Sequence, residues 1–291
     1  MWISEQLLYL LVRAVYRTDV CQDREMKEAE RDIDKYDEYR AGRIDHILEA
    51  AGRYGVPMEG RAILDFGCGN GIATGQYLQK GASSVIGVDV NGQSIERAKE
   101  LYGSESVRFI QSGSVEIPLE DQSVDTVVSY DVFEHVGQPD LILDELYRVL
   151  RPNGKVLIGT FGWRHPFAPH LYATMPVPWA HCVFSEKTIL RACRRVYLSP
   201  WYVATHHDMD SAGNKKPDKY RMDEIPLDYV NKLLLRDFDS LFQASKFQHE
   251  TYPIPFSSKW ARWTRVFLGV PWLREYITAY IWVVLNKTAA D

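Results

Sequence analysis

The sequence lacks an excess of basic residues. Its 34 lysines and arginines stand against 39 aspartates and glutamates, for a net charge of −5. No global positive field gathers a polyanion such as DNA or tRNA, and nucleic acid is not expected as a partner. Paired cysteines are also missing. Cys21, Cys68, Cys182 and Cys193 form no C-x-x-C pair and no other zinc spacing, which excludes a disulfide framework and a zinc module and suits reduced thiols in a cytoplasm. Uninterrupted apolar runs are missing as well. The first residues, MWISEQLLYLLVRAVYR, hold Glu5 and lead to no small-residue cleavage site, so they do not read as a signal peptide. Near the other end, VFLGVPWLREYITAYIWVVL is broken by Pro271, Arg274 and Glu275, and no transmembrane helix is expected. The first half lacks tryptophan beyond Trp2: none of the eight lies between residues 3 and 162, and seven lie from Trp163 onward. Those rings either wall an apolar pocket or serve as ordinary packing.

What is present is a regular alternation over residues 61–161. Strand-like RAILDF, SVIGVDV, SVRFIQ, VDTVVSY and GKVLIGTF are separated by helical stretches, among them SIERAKELY and PDLILDELYRVL. This order predicts a parallel sheet wrapped by helices. A charged, helical lead-in covers residues 1–60. Four prolines crowd between Pro166 and Pro178, marking a loop cap. Helical periodicity returns in SEKTILRACRRVY, capped by Ser185, and in LDYVNKLLLRDFDSLFQ. Residues 162–245 are thus expected to form a mostly helical cap, and KFQHETYPIP and AYIWVVLNK, within 246–291, two closing strands.

The first strand runs into ILDFGCGNG. Glycines at a helix start expose backbone N–H groups to a ligand, as in dinucleotide sites. Here Gly67, Gly69 and Gly71 place the third glycine one residue early, and Asp65 would repel a diphosphate while attracting an ammonium group. Asp89, at the end of VIGVDV, can accept from both hydroxyls of a ribose. An ammonium near Asp65 and an adenosine on Asp89 together describe S-adenosylmethionine.

From ILDFGCGNG through VIGVDVNGQSIERAKE, SGSVEIPLEDQSVDTVVSYDVFEHV and LRPNGKVLIGTF, the chain resembles a class I S-adenosylmethionine-dependent methyltransferase, and in part those of ubiquinone biosynthesis. The match covers about 100 residues with its motifs in the usual order. The resemblance implies a Rossmann-like, doubly wound, mostly parallel seven-stranded sheet under a mostly helical cap. It implies that Asp65, Gly67, Cys68 and Gly69 surround the methionine part, that Asp89 holds the ribose and Val90 the adenine, and that Gly113 and Ser114 line the adenine's amino edge. Many relatives carry an acid where Ser114 stands. Asp131 is counted with the cofactor residues.

Past the fourth strand, YDVFEHV brings Asp131, Glu134 and His135 together. They offer a base, or a divalent metal site like that implied by the ubiquinone-type relatives, or simple packing. His165 and His170 flank HPFAPH just after the fifth strand and are candidate acceptor-side residues. His181, His206 and His207 lie further on, and Tyr36 and Tyr39 in the lead-in are either a lid over the cofactor, as the resemblance implies, or surface packing. The aromatic ends, with Arg262, Arg265 and Arg274 interleaved, fit an entrance, a dimer face, a peripheral membrane contact or internal packing. The expected function is methylation of a small molecule, at oxygen because the acidic and histidine group supplies a base or metal route, in a cytoplasmic monomer or homodimer. The rival readings are C- or N-methylation of a small or lipid-linked acceptor, a NAD-dependent oxidoreductase, and a protein that binds S-adenosylmethionine without methylating.

Overall fold

The computed structural model describes residues 2–16, 29, 31–210, 212–227, 229–256 and 261–289. In chain order these form α1 (Trp2–Tyr16), α2 (Ile33–Ala41), α3 (Ile44–Arg53), β1 (Ala62–Phe66), α4 (Ile72–Gln79), β2 (Ser84–Asp89), α5 (Gly92–Tyr102) and β3 (Val107–Gln111). Then come β4 (Val124–Tyr130), α6 (Pro139–Val149), β5 (Leu150–Thr160), α7 (Ala180–Val183), α8 (Glu186–Tyr197), α9 (Leu235–Ala244), β6 (Gln248–Pro255), α10 (Pro271–Ile277) and β7 (Thr278–Asn286). Cys21, Trp260 and the side chain of Arg262 lie outside the described residues. The chain divides into two compact units, one of Met1–Arg40 with Trp163–Val230 and one of Ala41–Gly162 with Asn231–Asp291.

The second unit is built on a seven-stranded sheet of order β3-β2-β1-β4-β5-β7-β6. The first five strands are parallel; β7 runs antiparallel between β5 and β6. This is the mostly parallel, doubly wound arrangement expected, with its switch point between β1 and β4. Strands with helices over both faces must be apolar on both, and neighbouring residues divide accordingly. Leu64, Val127, Val156, Ile158, Val283 and Leu285 join the core that packs on α6 and α9 through Leu143, Leu146, Phe238 and Phe242. Their neighbours Ile63, Val128, Leu157, Trp282 and Val284 join the core on the other face, with Ile44, Ile47 and Ala51 of α3 and Tyr77 of α4. Within the charged lead-in, α3 is part of the sheet's core, whereas α2 buries no residue.

The carboxyl ends of β1 to β5 share one edge of the sheet. Thr160 at the end of β5 faces Ile281 of antiparallel β7, and Pro255 at the end of β6 faces Thr278. The β6–β7 connection therefore leaves from this same edge.

Helix α9 starts later than the periodicity of LDYVNKLLLRDFDSLFQ predicts. Lys232 takes a left-handed backbone, φ 58°, and the Asn231 side chain donates to the Phe133 and Val136 carbonyls at 2.6 and 3.1 Å. The chain is held extended there until Glu275 accepts from the Leu235 and Arg236 N–H groups at 2.9 and 3.0 Å. Two orphan donors of the helix start are satisfied by a side chain forty residues downstream.

In the first unit, α1 contributes Leu8, Tyr9 and Val12 to a core with Ile189, Leu190, Cys193, Val196 and Tyr197 of α8. Ser185 caps α8 by accepting the Thr188 N–H at 3.3 Å, as its sequence predicts. Arg195 ties the helices together, donating to Gln6 at 2.5 Å and lying 4.0 Å over the Tyr9 ring. Buried Asp208 accepts from the Tyr202 hydroxyl at 2.7 Å and the Thr205 N–H at 2.8 Å, and pairs with Lys219 at 2.5 Å. The tryptophans divide between the two readings. Trp282 is buried in the sheet unit and Trp163 and Trp201 pack on the α1–α8 core, while Trp263 and Trp272 are exposed.

Candidate active site

The glycine turn sits where β1 meets α4. Gly67, Gly69 and Gly71 have φ of 80°, 53° and 79°, a region that side chains rarely adopt. Each also answers a different spatial demand. A Cβ on Gly67 would collide with Val132, and one on Gly71 with Phe109 and Ala98 at 2.7 and 2.8 Å. One on Gly69 would meet nothing within 4 Å. Two glycines thus let β1 and α4 close onto their neighbours, and the middle one leaves open space over a half-buried turn. That open cradle fits a ligand approaching the backbone.

The charge around this turn is negative. Asp65 is buried at 5% exposure and accepts from Thr74 Oγ1 at 2.5 Å. Asp89 accepts from the Gly69 N–H at 2.9 Å and from the Asn91 N–H at 2.8 Å. The Cys68 thiol registers the field: its pKa is raised far above the usual thiol range, first by burial and then by the charges of Asp65 and Asp89. A pyrophosphate would meet this potential unfavourably, and a cation would be attracted by it.

Further along the edge, Val90 follows β2 with 59% of its surface exposed, its carbonyl accepting from Gln111 at 3.1 Å. Gly113 and Ser114 follow β3 and are both exposed. The segment behind them is clamped by α6, where Glu145 accepts the Ile117 N–H at 2.9 Å and Arg148 donates to the Ile117 and Leu119 carbonyls at 2.8 and 2.7 Å.

Past β4 lie the three candidates of YDVFEHV. Asp131 has φ 56°, rare for a residue with a side chain and frequent at functional positions. Its carboxylate pairs with Arg43 at 2.9 Å and accepts from the Tyr280 hydroxyl at 2.8 Å. Burial, and then the Asp131 charge, holds the Tyr280 phenol protonated, its pKa well above the usual value. Glu134 is buried and accepts from Thr160 Oγ1 at 2.7 Å. His135 is half-buried and ends a 3-10 turn, Phe133–His135. Asn231 braces that turn through the two carbonyl bonds given above and through its own N–H, which donates to the Glu134 carbonyl at 2.8 Å. A metal using Asp131 would share its carboxylate with the Arg43 guanidinium, whereas Glu134 and His135 bring ligand atoms within 4.8 Å of each other.

The cap histidines belong to the first unit. His165 Nδ1 accepts the Phe167 N–H at 3.2 Å. His170 takes a left-handed backbone, φ 53°, and its carbonyl accepts from Tyr229 at 3.2 Å. His181 is bonded to the Trp163 carbonyl at 2.7 Å, and burial lowers its pKa. Tyr36 stacks on His206 and His207, with ring centres 4.8 and 5.5 Å away.

Arg43, Tyr280 and Asn231 were not singled out from the sequence. A cue existed for Tyr280, because aromatics two apart in AYIWVV share a face, and Gly159 in the facing strand leaves room for them. A Cβ there would lie 2.7 Å from the Tyr280 hydroxyl. Arg43 and Asn231 carried no local cue.

A family model for a methyltransferase domain matches residues 64–158, from β1 to β5. An uncharacterized methyltransferase of Mycobacteroides abscessus is 27% identical over 236 residues, covering 80% of this chain and 78% of that protein. The mitochondrial ubiquinone biosynthesis O-methyltransferase of Dictyostelium discoideum is 30% identical over 120 residues, 36% of each chain. Among solved structures, the methyltransferase from the complex with the Haloferax volcanii Trm112 methyltransferase activator has a TM-score of 0.51 at 16% identity, covering 92% of this chain and 99% of that one, a likeness of fold. The matched domain, the relatives and the fold agree on an S-adenosylmethionine-dependent methyltransferase, with residues 64–158 as its methyltransferase domain.

Proposed function

We propose that this methyltransferase acts on an oxygen atom of a small molecule and that His135 takes the acceptor's proton. The observation that carries the reading is the position of His135, half-buried at the end of the Phe133–His135 turn that Asn231 braces just past the carboxyl end of β4. Asp131 pairs with Arg43 and Tyr280, and Glu134 accepts from Thr160. We assign the base to the His135 imidazole. A group that removes a hydroxyl proton raises the nucleophilicity of that oxygen, which an amine or an activated carbon needs less.

When bound, S-adenosylmethionine supplies an electrophilic methyl group on a positively charged sulfur. On the protein side, we assign Asp65 and the N–H groups of the turn from Gly67 through Cys68 to Gly69 to its amino-acid end. The Asp89 oxygens, each with one backbone donor, retain lone pairs for the ribose hydroxyls. Val90 offers apolar surface to the adenine, with Gly113 and Ser114 at its edge. Asp131 adds negative charge and is held in a fixed place by Arg43 and Tyr280. Catalysis of such a displacement rests on alignment and exclusion of water, with little covalent work for the protein. A cytoplasmic setting belongs to the same reading and is supported by the free thiols Cys68, Cys182 and Cys193.

The test incubates the protein with methyl-labelled S-adenosylmethionine and a panel of phenols, alcohols and amines. Label in an ether product supports the reading, and label confined to nitrogen or carbon overturns it. His135→Ala is expected to lower kcat by roughly 10²- to 10⁴-fold with S-adenosylmethionine affinity unchanged by calorimetry. Full turnover with an unaltered pH profile would remove His135 from the mechanism, and activity that is lost on chelation and restored by a divalent cation would replace the base with a metal.

A further inference from the structure

The β6–β7 connection combines exposed aromatic residues with one sign of charge. From residue 251 to 274 the sequence holds Lys259, Arg262, Arg265 and Arg274 and no aspartate or glutamate, in a chain whose net charge is −5. Arg274 pairs with Asp239 at 3.4 Å, and Arg265 is exposed. Within the same stretch Trp263, Val266, Phe267 and Trp272 are 81%, 78%, 48% and 67% exposed. Elsewhere in the sheet unit Val90, Leu101 and Leu141 are exposed one at a time. Scattered apolar residues need no explanation, whereas a cluster of large ones marks a contact surface.

The surface is supported. A 3-10 helix over Ala261–Phe267 packs against α10, and α10 is fixed to α9 by the buried carboxylate of Glu275. The chemistry also chooses the occupant. Tryptophan favours the headgroup boundary of a bilayer, and lysine and arginine are drawn to anionic lipids. A second copy of the same face would set like charges against each other, since the stretch has no acid to pair with them.

We propose that residues 263–274 dock on an anionic lipid surface. The connection leaves from the edge of the sheet that carries the glycine turn and His135, so docking turns that edge toward the interface. The consequence for the acceptor, that it is drawn from the lipid phase, rests on the proposed function; the docking itself does not.

Flotation of the full chain with vesicles tests this. Phosphatidylcholine vesicles containing phosphatidylglycerol are expected to carry the protein up, pure phosphatidylcholine vesicles are not, and added salt should release it. Arg265→Glu, and separately Trp263→Ser combined with Trp272→Ser, are expected to weaken binding about tenfold or more, with S-adenosylmethionine affinity by calorimetry unchanged. Indifference of the wild-type protein to phosphatidylglycerol, or variants that bind as well as wild type, would overturn the proposal. So would a wild-type dimer that the tryptophan variant converts to monomer, which would give the face to a second copy. A wild-type protein that floats with phosphatidylglycerol vesicles but does not bind S-adenosylmethionine would count against the site assignment alone.

Discussion

Asp89 carries two duties through one carboxylate. It fixes the glycine turn by accepting the Gly69 N–H and the start of α5 by accepting the Asn91 N–H, and on our assignment it also receives the ribose. Asp89→Ala is expected to weaken S-adenosylmethionine binding roughly 100-fold, because hydrogen bonds to a charged group contribute about 1.5 to 3 kcal/mol each. Asp89→Asn should fall between, since the amide keeps one acceptor oxygen. Calorimetry with S-adenosylmethionine and its demethylated product measures both, and an undiminished affinity in the alanine variant would refute the ribose contact. The sequence revealed Asp89 because a carboxylate at the end of β2 is a local signal. It did not reveal that Asp131 meets Arg43 and Tyr280, residues brought from three distant parts of the chain. Pairings of that kind depend on the tertiary fold and leave no periodic trace.

Among the elements, the β1 turn is the most constrained. Gly67 combines φ 80° with a neighbour, Val132, standing where a Cβ would go. Gly67→Ala should therefore lower stability by about 2 kcal/mol or more, from left-handed strain together with the clash, and weaken cofactor binding with it. Adding Val132→Ala should recover only part of the loss, because removing the clash leaves the backbone strain. Thermal melts of the single and double variants check this; complete recovery would show that strain plays no part. The regular strands and helices of this unit were legible because both faces of the sheet are covered, which writes continuous apolar runs into β1, β4 and β5. The onset of α9 was not. Its apolar spacing runs on past Leu234 toward Leu227, and what stops the helix is Asn231 bonding to another turn and Glu275 capping from far away.

For the molecule, the two units have distinct electrostatic supports. In the unit of α1 and α8, Asp208 is fully buried. Burial alone would raise its pKa, but Lys219, the Tyr202 hydroxyl and the Thr205 N–H together hold it below the usual carboxylate value. Its folded pKa lies below the unfolded one, so its contribution to stability is complete above pH about 4 and is lost as pH falls through the lower folded value. Thermal midpoints by circular dichroism are expected to drop in that acid range, and Asp208→Asn to flatten the drop. At neutral pH the same variant should cost about 2 to 3 kcal/mol, somewhat less than a fully buried pair, because Lys219 keeps 31% of its side chain exposed. An unchanged acid profile would show that other carboxylates govern it. No helix among the described residues is long and apolar enough to cross a membrane.

The pairing of α1 with α8 also bears on how the chain comes off the ribosome. Leu8, Tyr9 and Val12 are made first, but their partners Ile189, Cys193 and Val196 follow only after the entire β1–β5 block has been translated. At about 5 to 20 residues per second, the nascent amino-terminal helix waits roughly ten seconds or longer with an oily stripe and nowhere to bury it. During that interval it is a natural client for a chaperone.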